Sequence, residues 1–463
     1  NFSSLKFKTF TYCIIRISSR KDCLSGKETI MEQIHLKYGT STVDFTVEGA
    51  KSIAYLHENP MRVIDDIKAE FHHCITGGVI GTKPLNQLIA KEDDVTIIIS
   101  DMTRFWMRQD ILCQLLVEYL HDTLNIPFEQ IAVVIALGTH RMNSEEDKRK
   151  LAGAYVYDHV SVTDHDCDSP DLVCVGTTSF GTKVSVNPLA VGRKVISIGG
   201  TVHHIMAGYG GGRKSIVPGI ASRETIRMNH QMALDPEQPK SDSRIGSGKI
   251  LVNPIHQDMC EAADLVHVTF GINIVVDSAS RHSGLFCGDF DKAWKESCRY
   301  VQQSYGLPID YEADVVIVSC GGFPKDLNFY QSTKSLFNGA KAVKKGGTLI
   351  LLAACSEGSG AKDFFDWIEP LKNGCLDEAL RKDFTIGGYI FYAACESIRK
   401  ARTLLLSGLE PGVIKDMQVQ SFKDMDTLLS KVDFKIKDVY IIPYGGSVMP
   451  QLKEEYAELC SNI

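Results

Sequence analysis

None of the fourteen cysteines stands in a C-x-x-C pair or at any other ligand-type spacing. That removes the common zinc and thioredoxin-like patterns. Cys113, Cys174, Cys320, Cys355 and Cys395 lie in or beside apolar runs, as free thiols of a reducing compartment do. No apolar run is long enough to span a bilayer, which excludes a membrane-spanning helix and favours a cytoplasmic protein. Positive charge is not in excess: 50 Lys and Arg face 57 Asp and Glu, for a net charge of −7. With no basic stripe interleaved with aromatics, a nucleic-acid partner is excluded. No internal repeat and no low-complexity segment is present.

What remains is an ordinary globular composition, 44% hydrophobic and 23% charged, in a chain long enough for two domains. Short β-rich runs alternate with helical patterns, which predicts an α/β fold of two domains with mostly parallel sheets and an interdomain cleft. Residues 1–30 begin without methionine and carry scattered basic residues among serines. They read as an upstream or non-native extension, with Met31 as the natural start. Residues 31–303 form the expected N-terminal domain. Ser304 to Pro308 reads as a linker, and 309–463 as a C-terminal α/β domain whose final segment packs back on the first.

Three predicted strands end in chemically loaded turns. Val95 to Ser100 runs into Asp101-Met102-Thr103-Arg104, followed by a helix from Gln109 to Leu120. Ile131 to Leu137 runs into Gly138-Thr139-His140-Arg141, with Asn143 or Ser144 capping the next helix. Val195 to Ile198 leads to His203-His204 and a glycine-rich loop. Ligands of open α/β sheets bind beyond the carboxyl ends of the strands. A structural turn needs Gly, Asn, Asp or Pro; it does not need Arg or His.

The loop Gly208-Tyr209-Gly210-Gly211-Gly212-Arg213-Lys214-Ser215 nearly matches a phosphate-binding P-loop, but Arg213 stands where the last glycine is required. That disfavours a phosphotransferase. The run still points to anion binding, since glycines admit close approach and Arg-Lys add charge. His203 and His204 are adjacent, so in a strand only one of them faces a given site. Asp164-His165-Asp166-Cys167-Asp168 reads as a solvated loop before a metal site. Gln331 and Lys334 share a face of a helix predicted over 326–343, suited to a carboxylate or to an ordinary exposed surface.

In this order and spacing, over nearly all of the chain from Met31, these segments resemble the lactate racemase family that uses a nickel-pincer nucleotide. The carrying pieces are Asp101-Met102-Thr103-Arg104, Gly138-Thr139-His140-Arg141, the block from His204 to Gly219, Asn273 to Asp277, and Gly321 to Asp326 with Tyr330-Gln331 and Lys334. The resemblance implies a racemase or epimerase of a 2-hydroxy acid, working by hydride abstraction and return. His204 matches the nickel ligand and His140 an acid/base. Arg104, Gln331 and Lys334 match the group that grips the substrate. Asp101, Thr103, Thr178, Gly210, Gly211, Gly212, Arg213, Lys214 and Ser215 are the expected cofactor contacts, with Asp101 also placed to orient Arg104. A pincer ligand supplies carbon and sulfur donors itself, which accounts for the missing multi-residue metal motif.

Three positions depart from the family pattern. Pro188 replaces the lysine that anchors the cofactor, so the cofactor is expected to be held non-covalently, with Lys194 nearby but out of register. Thr178 replaces a second catalytic histidine, which leaves His203 or another residue to supply the second proton transfer. Phe105 replaces a proline, and together these changes suggest a bulkier or more polar substrate than lactate, such as a sugar acid. The partners implied are the hydroxy acid and cofactor-synthesis proteins, with a homo-oligomer left open. Two other readings share these residues: an oxidoreductase using the same cofactor with an external acceptor, and a non-catalytic nucleotide-binding protein.

Overall fold

The computed structural model describes residues 14–17, 30–360 and 363–463. The chain divides into two compact units: 61–302 with 459–463, and 1–60 with 303–458. The first unit is built on a six-stranded sheet in the order His282–Gly288, Phe270–Val276, Lys194–Gly200, Val95–Ser100, Ile131–Ala136, Ser161–Asp164. All neighbours are parallel except the first two, which run antiparallel. Numbered along the chain, the strands read 6-5-4-1-2-3 across the sheet, so the order reverses between Val95–Ser100 and Lys194–Gly200. Loops leaving the carboxyl ends there diverge to opposite faces and leave a crevice.

The central strands read VTIIIS and IAVVIA because both of their faces are covered. Parallel strands buried on two sides need continuous β-branched runs rather than alternation. Ile97, Ile99, Val133, Ile135, Ile196 and Ile198 share one core with Leu112, Leu116 and Val117 of the helix Gln109–Glu118. That helix continues in a single π turn, Tyr119–Thr123, past the predicted end. At the next helix, Glu145–Ala152, Ser144 is the cap. Its side chain accepts from Asp147 N while Asp147 reaches back, a reciprocal capping box. Asn143 instead bonds Asp164 through its backbone and side-chain amides, at 2.7 and 2.8 Å.

The second unit carries a seven-stranded sheet in the order Ile14–Ile17, Ser52–Leu56, Asp438–Ile442, Ala313–Ser319, Val343–Leu352, Arg402–Leu406, Val419–Phe422. Only Ile14–Ile17 runs antiparallel to its neighbour. Two expectations need correction here. Residues 31–60 were assigned to the N-terminal domain, yet Ser52–Leu56 pairs with Asp438–Ile442 in the sheet of the C-terminal half. The hairpin Ile30–Tyr38 with Ser41–Ala50 joins the core of that sheet through Ile34, Leu36, Phe45 and Val47. The stretch read as a linker is structured too. The helix Phe290–Tyr305 runs through Ser304, and Gly306–Ile309 pairs with Met449–Leu452 because Leu307 and Ile309 are apolar and buried. Of the expected extension at 1–30, only 14–17 and Ile30 are described, and Ile30 already lies within a strand.

Ile97 is fully buried where three strands meet. Ile97→Ala is expected to destabilise by about 2–5 kcal/mol through lost transfer energy and the cavity left behind. Ser144→Ala removes one cap bond and should cost about 1 kcal/mol. Urea unfolding of the two variants checks both the sizes and their order.

Candidate active site

The crevice of the six-stranded sheet is lined by the turns after its first, second and fourth strands in chain order. Asp101 follows Ser100 and is 6% exposed. One carboxylate oxygen, Oδ2, meets His140 Nδ1 in a short hydrogen bond. The other accepts from Thr103 Oγ1 at 2.7 Å. The Thr103 hydroxyl in turn accepts from Arg104 Nη1 at 2.8 Å. Burial pushes the Asp101 carboxyl upward. The hydrogen bond and charge of His140, the Thr103 hydroxyl and the Arg104 guanidinium together outweigh it and hold the group below its ordinary value. Asp101 is therefore a carboxylate at neutral pH that fixes the His140 ring, whose side chain is half exposed.

His203 and His204 form a two-residue strand paired with Gly208–Tyr209, and they separate as strand neighbours must. His203 turns away. Its Nε2 meets Gln302 Oε1 at 3.0 Å and its ring lies against Tyr209. His203 is thereby engaged with Gln302 and Tyr209. His204 turns toward the crevice. Its Nδ1 accepts from Met206 N and Ala207 N, both at 3.2 Å, which fixes the plane of the ring. Burial lowers its pKa far below the usual imidazole value, and Lys214, Arg104, His230 and Arg213 lower it further.

The glycine loop is packed against protein. A Cβ on Gly212 would lie 2.7 Å from the Trp294 ring, and one on Gly208 would lie 2.2 Å from Lys249 O. Trp294 Nε1 donates to Gly210 O at 2.8 Å. Arg213, expected as an anion contact, is 3% exposed and stacks 3.9 Å over the Trp294 ring. It donates to the carbonyls of Ala207 and Gly211. Arg213 is thus a clamp on the loop that carries His204, because a guanidinium satisfies carbonyls and an aromatic face together. Ser215 is likewise committed, accepting from Ser197 Oγ at 2.8 Å and donating to Gly212 O. Gly210 and Gly211 lie against Gly200 O. Of this run, Lys214 acts most strongly on His204, and Arg213 adds a smaller charge.

Other expected contacts are placed elsewhere. Thr178 is buried, and its hydroxyl donates to Asp258 Oδ1 at 2.5 Å beside Thr182 and Asn229. The Phe105 ring has the cations of Arg108 and Lys150 within 5.8 and 5.0 Å of its centre. Two of the three departures that suggest a bulkier substrate, Thr178 and Phe105, are thus engaged with protein. Lys194 opens the strand that ends at Gly200, roughly 20 Å along the chain from that end. Gln331 and Lys334 belong to the other unit, on the helix Phe329–Ala342, where Lys334 Nζ donates to Gln331 Oε1 at 2.8 Å.

Two residues were not legible as site residues in the sequence. Trp294 is the platform for Arg213, and His230 is a buried histidine beside Lys214. Burial and the Lys214 charge push the His230 ring down to about 3, and its Nδ1 donates to Ile226 O at 3.1 Å. Neither carries a local sequence signal, since both act through contacts distant in sequence.

The donor set is a single imidazole ringed by cations. Among the described residues, the one group of three metal-ligating side chains is Asp166, Cys167 and Asp168, where Asp168 is already paired with Arg223. A bare divalent ion would be repelled at His204, where no carboxylate offsets Lys214, Arg104 and Arg213 among the charges acting on the ring. A metal delivered inside an anionic organic ligand fits the same surroundings, because that ligand supplies both the remaining donors and the missing negative charge.

Burial, Arg213 and Arg104 lower the Lys214 ammonium to about 7. Between pH 7 and the ordinary lysine value of about 10.4, the unfolded chain binds this proton and the folded chain does not. Stability of the cofactor-free protein is therefore expected to gain a rising contribution from Lys214 as pH increases through that window. Lys214→Met should flatten the slope; unfolding midpoints at several pH values check it.

Family models of the lactate racemase N-terminal domain and the lactate racemase C-terminal domain match residues 38–241 and 309–449. The lactate racemase of Lactiplantibacillus plantarum is 32% identical over 381 residues, covering 80% of this chain and 88% of that protein. The lactate racemase of Thermoanaerobacterium thermosaccharolyticum is 31% identical over 353 residues, covering 74% and 79%. The apoprotein structure from the latter organism superposes with a TM-score of 0.78 at 27% identity, over 91% of this chain and 100% of that one. A structure from Thermotoga maritima shares the fold at a TM-score of 0.58. With both domain models matched in order and relatives this similar along most of their length, the chain belongs to the lactate racemase family.

Proposed function

We propose that this protein is a racemase or epimerase of a 2-hydroxy acid, acting with a nickel cofactor of the pincer-nucleotide kind held non-covalently at His204. The observation that carries the reading is the chain His140–Asp101–Thr103–Arg104 at the reversal of strand order, in the same crevice as His204. A base, its orienting carboxylate, a cationic fork and a lone metal-type imidazole are the parts this reaction requires.

The C2–H bond of a 2-hydroxy acid is a very poor acid, so its hydrogen leaves more easily with the electron pair while the hydroxyl proton is removed. The cofactor, when bound at His204, would supply transient acceptance of that hydrogen. The protein supplies the rest. His140 Nδ1 is held by Asp101, so Nε2 is the nitrogen that takes the hydroxyl proton, and the buried carboxylate stabilises the imidazolium that results. Arg104 grips the carboxylate and keeps the 2-keto acid in place between the two half-reactions. Rotation of the keto acid about its C1–C2 bond exposes the second face and moves the oxygen away from His140. Proton return there falls to a donor other than Thr178, whose hydroxyl is committed to Asp258. Lys214 and Arg104 give the His204 ring positive surroundings that suit an anionic cofactor.

The test uses protein produced together with the cofactor-synthesis proteins. Loss of optical rotation of a single lactate enantiomer, with no net oxidation or reduction, is the expected result. Accumulation of a 2-keto acid would replace the racemase by an oxidoreductase, and absence of both nickel and turnover would leave a binding protein. Within this assay, His204→Ala should lose nickel while keeping its fold. His140→Ala should retain nickel and lose about 10²–10⁴-fold in kcat; unchanged turnover removes His140 from the mechanism.

A further inference from the structure

We infer that Thr103 is a positioning residue that holds Arg104 off Asp101, and so keeps the guanidinium available for the substrate carboxylate. The inference rests on the 2-hydroxy-acid reading above and adds a residue whose expected role was cofactor contact. The turn after Ser100 folds Arg104 back over Asp101, with Arg104 N donating to Asp101 O at 3.0 Å. A buried carboxylate and a guanidinium three residues apart on one tight turn would ordinarily close into a direct, often bidentate, ion pair. Here the Thr103 hydroxyl stands between them. Its single proton goes to Asp101 Oδ1, and its lone pair takes Arg104 Nη1.

Three consequences follow from that one hydroxyl. Asp101 has Oδ2 on His140 and Oδ1 on Thr103, so each oxygen has a donor without recruiting the arginine. Arg104 is tethered through Nη1 alone, with a second, longer contact from the same nitrogen to Thr103 O at 3.4 Å. The Nε–Nη2 edge, the geometry that matches a carboxylate with two parallel bonds, is left for a ligand. Arg104 and Asp101 also meet only through the Thr103 hydroxyl rather than as a direct ion pair, and Asp101 Oδ2 remains directed at His140. Removing the hydroxyl leaves Asp101 Oδ1 short of its side-chain donor, and Arg104, bonded to that same hydroxyl, is the adjacent cation. The arginine then collapses inward and both functions of the turn are lost together.

Thr103→Val keeps the branched shape without the hydroxyl, and Thr103→Ser restores the hydroxyl without the branch. In calorimetry on cofactor-free protein with lactate and pyruvate as probes, T103V is expected to bind about tenfold more weakly than the parent, and T103S within about threefold of it. In the loaded enzyme T103V should raise KM by a similar factor and lower kcat, and T103S should recover both. The crystal structure of T103V should show Arg104 within about 4 Å of the Asp101 carboxylate. Unchanged binding and KM in T103V, or an Arg104 that has not moved, overturns the inference. If the parent itself binds neither probe, the substrate reading fails, and the T103V crystal structure alone decides the positioning role.

Discussion

Burying one carboxylate beyond the end of a parallel strand sets the terms for everything around it. Asp101 cannot remain charged at 6% exposure unless each oxygen has a donor. The donors it has are an imidazole from the next strand's turn and a hydroxyl from its own. The need to satisfy that carboxylate therefore orients His140 and, through Thr103, sets where the Arg104 guanidinium is held. A structural requirement and a chemical one are met by the same atoms.

The second constraint is electrostatic and has the opposite sign. His204 sits among Lys214, Arg104 and Arg213, so positive potential accumulates on one side of the crevice. Arg213 is held there by Trp294 and two carbonyls rather than by an acid. The glycines that first suggest a phosphate cradle serve a different purpose, letting the loop lie against Trp294, Gly200 and Lys249 without a Cβ in the way. Rigid backing of this kind is what holds an imidazole at a fixed angle, as a metal ligand requires. The apolar strands behind it, Val95–Ser100 and Lys194–Gly200, carry that rigidity because both faces of each are buried.

Period and punctuation alone determine much of this protein. The α/β class, the strands beginning near Val95, Ile131 and Val195, and the helices after Arg108 and Ser144 are all readable, because buried parallel strands and capped helices have strong local signatures. The polar turns carrying Arg104, His140 and His204 stand out because turns do not need arginine or histidine. Only the folded chain decides where each side chain points and which distant segment it meets. Arg213 and Ser215 look like ligand contacts in a glycine-rich string, yet one faces Trp294 and the other Ser197. Thr178 meets Asp258, His230 lies beside Lys214, and the strand Ser52–Leu56 joins the sheet of the C-terminal half. Local sequence encodes backbone conformation through steric and hydrogen-bonding preferences within a few residues. The partner of a buried polar atom is set by chain segments tens to hundreds of residues away, brought together only when the sheets close.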